Sequence, residues 1–406
     1  MTGAMLPLAF LRAHGPLLGF GLAMALCSSF GQTFFVSLFG AEVRAALGLS
    51  HGGFGTIYSL GTLGSAALLV FGGRLIDRWP LVLFAGTVLG GLAIACLAMS
   101  AVDSAVGLAL AIFGLRFFGQ GLSSHASLTA MARYFERERG RAVAIASLGY
   151  PVGEALLPPL VVALLAGFSW RALWLGAAVI LILIALPTVL WLLKGHGARD
   201  VALKAHSRDG TGDATLGQAL REGRFWLRMP ALLAPSFIST GLIFHQVHIA
   251  ATKGWPMSLM AGSFSLYALG SVVSVMLVGG LVDRMSARRL VPFFLVPLAC
   301  ACLALAASDA PYIAPVFFGL LGVGAGATTS ILGTLWAELY GVAHLGAIRA
   351  FAQAAMVFST GLAPAVLGLL IDAEIGAGTI ALGCAAYCLG ASTLAFTARQ
   401  RVPLRV

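Results

Sequence analysis

Apolar residues run through this chain in long blocks separated by short polar breaks. Crossing a ~30 Å hydrocarbon layer takes roughly 20 apolar residues as a helix. On that measure the pattern predicts twelve spans, near 15–40, 51–73, 81–101, 105–131, 142–166, 171–194, 226–250, 257–280, 290–308, 312–337, 348–371 and 377–398. The blocks are too long and too uniform for the ~10-residue alternation of barrel strands. Backbone groups in lipid must be paired internally, so each span is expected to be a helix. One long polar stretch, 196–225, separates six spans from six and is expected to lie at the membrane surface, with a short helix near 214–223. The predicted fold is an all-α integral membrane protein of two six-helix bundles, 1–195 and 226–406, joined by a cytoplasmic linker, 196–225.

Composition agrees. The chain is 59% hydrophobic and 10% charged, against about a quarter charged in soluble domains. Its first apolar block is too long for the core of a cleaved signal peptide and is expected to stay as span 1. All six cysteines lie within apolar blocks, which suggests neither a disulfide framework nor a zinc site. Cys384 and Cys388 share a helix face, where a small apolar packing role is expected.

A net charge of +10 would suit a nucleic-acid binder. The placement of the charges argues otherwise. With both termini on the cytoplasmic side, 21 of the 25 Lys and Arg residues fall on that side, Arg44, Arg171 and Lys253 fall on the other, and Arg116 lies within a span. This is the positive-inside bias of a membrane protein. All seven tryptophans fall near predicted span ends, where an interfacial belt would place them.

The two halves also repeat. An ungapped shift of 206 aligns Leu63-Gly64-Ser65 with Leu269-Gly270-Ser271, and Gly73, Asp77 and Arg78 with Gly279, Asp283 and Arg284. Cys96, Asp103, Tyr134, Gly140 and Pro158 align with Cys302, Asp309, Tyr340, Gly346 and Pro364. Six spans per half is an even number, so the copies point the same way across the membrane. Parallel repeats of this kind occur in transporters whose site lies between the halves.

These residues resemble the major facilitator superfamily over nearly the whole chain. "GGRLIDRW" (72–79) and "GGLVDRMSARR" (279–289) resemble its hairpin signature after spans 2 and 8; "RFFGQG" (116–121) resembles its second motif, in span 4; and "RERGRAVAI" (137–145) resembles its loop into span 5. The first hairpin departs from the pattern, with Trp79-Pro80 where further basic residues are usual. The resemblance implies a gating latch at Asp77, Arg78, Asp283 and Arg284, with the aspartates set against the N-termini of neighbouring helices. The second copy fits that role better. The alternative is that these are ordinary loop charges.

Ionisable residues within spans are costly and so point to function. Arg116 reads as the only intramembrane arginine and Glu154 as the only acid deep in a span. Counted along their helices at 1.5 Å per residue, the two differ in depth by about one turn. Three readings stay open: they pair structurally; Arg116 meets an anionic group of the substrate while Glu154 carries a proton; or they face different helices. Gln120, Ser123 and Ser124 extend a polar stripe from Arg116. "FGQ" (30–32) and "FHQ" (244–246) sit late in spans 1 and 7. The resemblance puts those spans around the central cavity, which makes Gln32, Gln246 and His245 candidate substrate contacts and His245 a second candidate proton carrier. His248 is expected at the interface, and His125 in helix packing. Glycines and prolines crowd spans 5 and 10, consistent with close packing or with motion.

The expected function is secondary transport of a small organic anion by alternating access, coupled to protons, in the lipid bilayer of a bacterial-type inner membrane, with the protein acting as a monomer. The alternative is proton-driven efflux of hydrophobic or cationic compounds, with Glu154 as the acidic site. No cofactor is expected. No nucleotide-binding motif is present, and the mid-depth polar residues are scattered singly rather than clustered, which argues against an enzyme.

Overall fold

The computed structural model describes residues 8–73, 75–135, 139–195, 215–341 and 345–398. Among them the only regular structure is helical. Ten helices among the described residues, from His14–Ser37 to Ala377–Thr397, are long and apolar enough to cross a membrane. His51–Gly72 and Val296–Ala307 occupy the places of spans 2 and 9. Span 9 is shorter than its apolar block: residues 291–295 form turns, and the helix begins at Val296 with Pro297 in its first turn. Pro292 and Pro297 are the reason, since neither can donate a backbone hydrogen bond. The helix expected in the linker is present at Leu216–Arg221, begun by a reciprocal cap between Thr215 and Gln218.

The helices gather into two compact units. Among the described residues, one takes those within 1–36, 60–157 and 163–207, and the other those within 37–59, 158–162 and 208–406. Lipid is as apolar as a leucine side chain, so helix association within each unit depends on close packing and interhelical hydrogen bonds. In the first unit, Ser123 and Ser127 of span 4 donate to the Met24 and Gly21 carbonyls of span 1, at 2.7 and 2.6 Å. In the second, spans 8 and 10 cross through glycine: a Cβ at Gly322 would overlap the Tyr267 carbonyl, and one at Gly326 the Ser271 carbonyl.

Packing repeats the 206-residue offset. Gly64 lies against Phe113 in the first unit, and Gly270 against Gly319 in the second. The loops before spans 4 and 10 match as well. Arg171 donates to the Val102 carbonyl at 2.6 Å, and Lys253 donates to the Ser308 carbonyl at 3.1 Å.

The tryptophans divide between two settings. Trp79, Trp191 and Trp226 are exposed, whereas Trp170, Trp174, Trp255 and Trp336 are buried. Trp174 is fully enclosed, edge-on to Phe35 with ring centroids 5.2 Å apart. Proximity to a span end in sequence does not distinguish a lipid-facing ring from one turned into the helix bundle.

Candidate functional site

Span 1 is not a continuous helix. Its α-helical part ends at Cys27, a tight turn of 3-10 helix covers Ser28–Gly31, Gln32 is extended, and the α-helix resumes at Thr33. Non-helical backbone within a membrane persists only where protein encloses it or where it lines a wet cavity. Here span 4 supports it. Residues Leu115–Ser123 of that span form a π-helical stretch that includes Arg116, Gly119 and Gln120. A Cβ at Gly31 would collide with the Leu115 carbonyl, so only glycine allows this approach.

Arg116 holds the break. It is 2% exposed, and its Nη1 donates to the Gly31 carbonyl at 3.0 Å and to Thr33 Oγ1 at 3.3 Å. It therefore bonds both edges of the interruption. Span 5 packs on the other side: Gly149 abuts the Leu22 carbonyl and Leu26 amide, and a Cβ at Gly153 would overlap Ser29 Oγ. Ser29 Oγ is buried and has no hydrogen-bond partner. Glu154, the next residue along span 5, is half-buried. No hydrogen bond or ion pair joins it to Arg116 among the described residues. The first unit thus brings Arg116, the Ser28–Gln32 break and the Gly153–Glu154 segment together. His125 contacts the Gly73 carbonyl at 3.2 Å and Thr129 at 3.3 Å, consistent with a packing role.

Span 7 breaks at the matching motif. Its helix ends at Phe244, His245 takes a non-helical conformation, and a new helix runs Gln246–Thr252. "FGQ" and "FHQ" therefore both mark helix interruptions. Gln246 is 1% exposed and donates from Nε2 to Ser37 Oγ at 2.8 Å. His245 is 4% exposed, with Nε2 3.0 Å from the Pro364 carbonyl. A carbonyl only accepts, so Nε2 carries the hydrogen.

Two groups escaped the sequence reading. Arg228, counted among the loop charges, is a second buried arginine within span 7; it is 4% exposed and donates to the Ala398 carbonyl at 3.0 Å. Arg116 is therefore not the only buried arginine among the described residues. Counting charges near a block's end cannot tell a loop cation from one folded back onto a neighbouring chain end. Glu338, at the end of span 10, accepts from the amides of Ala287 and Arg288 at 2.9 and 3.0 Å and so fixes the second hairpin. The first hairpin is held by Arg133 at the end of span 4, which donates to the Ile76 carbonyl at 3.1 Å. Arg78 and Arg284 are exposed at these hairpins, and the side chains of Asp77 and Asp283 lie outside the described residues.

Comparison with known proteins agrees with this architecture. The family profile of the Major Facilitator Superfamily matches residues 21–311 and 241–405. Monocarboxylate transporter 13 of Bos taurus is 30% identical over 273 residues, covering 64% of this chain. The match spans 58% of that relative's length. Among solved structures, a bacterial homologue of the human lysosomal transporter Spinster, inward-facing and unoccupied, superposes with a TM-score of 0.72 at 15% identity, covering 95% of this chain and 97% of that one. The nucleoside transporter NupG gives 0.70 at 14% identity, covering 97% and 100%. At such identities the likeness is one of fold.

Proposed function

The chain belongs to the major facilitator superfamily, whose members are transporters rather than enzymes, and from this we propose that it moves a small organic anion across a bacterial-type inner membrane by alternating access, coupled to protons. The observation that carries the reading is the interrupted span 1, held open by Arg116 and flanked by the unpartnered Glu154. A broken helix presents backbone groups to a ligand, and interruptions at corresponding places in two halves point to a transport site. Spans 1 and 7 both break, at Ser28–Gln32 and at His245.

In this reading Gln32 and Gln246 contact the substrate. Arg116 acts on the substrate's anionic group through the backbone it positions. Glu154 carries the proton, with His245 second in line. Similarity to a monocarboxylate transporter favours a carboxylate. An unpaired acid within a span also suits a cationic substrate, which keeps proton-driven efflux as the alternative. The Asp77–Arg78 and Asp283–Arg284 hairpins gate the cytoplasmic side, where both termini lie.

Uptake into proteoliposomes under an imposed pH gradient tests this directly. The panel should contain monocarboxylates, dicarboxylates, sugars, amino acids, nucleosides and cationic drugs. Accumulation of a carboxylate only when the gradient is present is the expected result. Gradient-driven movement of the cationic drugs alone would establish the alternative, and indifference to the gradient would remove proton coupling.

A further inference from the structure

In the second unit, residues 37–59 pack on spans 7 and 11 through a group of histidines. Asp372, the last residue of span 11, accepts from the backbone amides of His51 and Gly52 at 3.0 and 2.8 Å and so caps the start of span 2. The approach is close enough to require glycine. A Cβ at Gly55 would overlap the Pro364 carbonyl, and one at Gly368 would press on the His51 carbonyl. The His51 ring meets the His248 ring edge-on at 4.4 Å and lies 5.9 Å from that of His245. Phe54 stacks on Phe244 at 4.9 Å, and Gln246 holds Ser37. Arg44, on helix Gly40–Leu47, lines the same small cavity as His51, His245 and His248, which has room for about one water.

We propose that this cluster is an acid-sensitive clasp: it holds residues 37–59 against spans 7 and 11 while the imidazoles are neutral, and protonation releases it. The charges decide the sign. Helix Gly40–Leu47 brings Arg44 and Glu42; the start of span 2 brings His51; the break and short helix after span 7 bring His245 and His248; span 11 brings Asp372, with exposed Glu374 just beyond it. Lys253, at the far end of the short helix, is paired with Asp309. When protonated, the three imidazoles join Arg44 to make four cations facing three acids, Glu42, Asp372 and Glu374. Asp372 is exposed and already engaged by backbone amides, so it offers limited relief. His245 holds its hydrogen on Pro364 and would carry the added proton in a buried site, which is costly.

Protons are therefore bound more tightly in the released form. The clasp is intact above the ordinary imidazole range, near 6.5, and weakens as pH falls through it. On the orientation proposed above, this clasp faces outside, and external acid would open the entrance for the coupling proton. The inference rests on the transporter reading but is independent of the substrate.

Spin labels at Ala46→Cys and Ala373→Cys, both exposed positions away from the rings, report the separation in the full-length protein in nanodiscs, with Cys300→Ser removing the one exposed native cysteine. One short distance is expected at pH 7.5. A longer one should gain about fivefold at pH 5.5 for each imidazole whose pKa is lower by a unit in the clasped form than in the released one. The double variant His51→Asn with His248→Gln should lose most of that pH response, leaving no more than the share of His245, and Asp372→Asn should show the longer distance already at pH 7.5. An unchanged distribution between the two pH values overturns the clasp, as does a response of undiminished size in the double variant. Neither result would touch carboxylate uptake, so failure of the clasp and failure of the transport reading are distinguishable.

Discussion

Glu154 is placed where an acid is hard to account for structurally. It is half-buried in span 5, has no ion-pair partner among the described residues, and follows a glycine packed on the span 1 break. An unpaired acid in a span is expensive to retain, and a proton-carrying role explains its presence. Glu154→Gln keeps the shape and removes the exchangeable proton. It should lower gradient-driven accumulation to the equilibrium level while leaving substrate exchange intact. Accumulation that persists in the variant would exclude Glu154 from coupling. Arg116 calls for a different expectation. Its guanidinium bonds both edges of the break, so Arg116→Leu should leave the Gly31 carbonyl unsatisfied and cost about 1–3 kcal/mol, read as a lower unfolding midpoint in detergent alongside lost uptake. A variant as stable as the parent would show that the break holds itself.

At the scale of elements, hydropathy made the helices legible and left their interruptions hidden. Ser28, Ser29, Phe30, Gly31 and Gln32 carry no breaker stronger than one glycine. Their conformation comes from Leu115, Arg116 and Gly119, more than 80 positions away, and no local pattern encodes that. The matched "FGQ" and "FHQ" did mark both breaks, although their sequence spacing gave no reason to expect a change of backbone. Glycines in spans 8 and 10 were readable as close packing, but not which of them make the contact. Gly322 meets the Tyr267 carbonyl, while Gly319 has open space around its own Cβ position. Gly322→Leu should therefore push the two helices apart at about 1–3 kcal/mol, the usual range for overpacking. Gly319→Ala should change the unfolding midpoint little. Equal effects from the two substitutions would mean that the crossing does not depend on Gly322.

At the scale of the whole molecule, the internal repeat was visible in a handful of charged and glycine positions, and packing reproduces it. Gly64 with Phe113 and Gly270 with Gly319 are the same contact 206 residues apart. The charge bias that set the orientation had three exceptions, and the structure gives each a local role. Arg171 and Lys253 tie down equivalent loop carbonyls, Val102 and Ser308. Arg44 lies in the histidine cluster, where burial pulls its pKa down and Asp372 and Glu42 act against that shift. These three cations are thus accounted for by tertiary bonds and local charge, and the bias of the remaining basic residues should decide which way the chain inserts. Alkaline phosphatase, active only outside the cytoplasm, should be inactive when fused at either terminus or within 196–225, and active in the loop at Asp103. Arg171→Gln combined with Lys253→Gln should leave that pattern unchanged and destabilise the folded protein by about 0.5–1.5 kcal/mol per lost bond. Phosphatase activity at the termini would invert the orientation. It would place the histidine clasp on the cytoplasmic side, where it would answer to the pH of the cell interior.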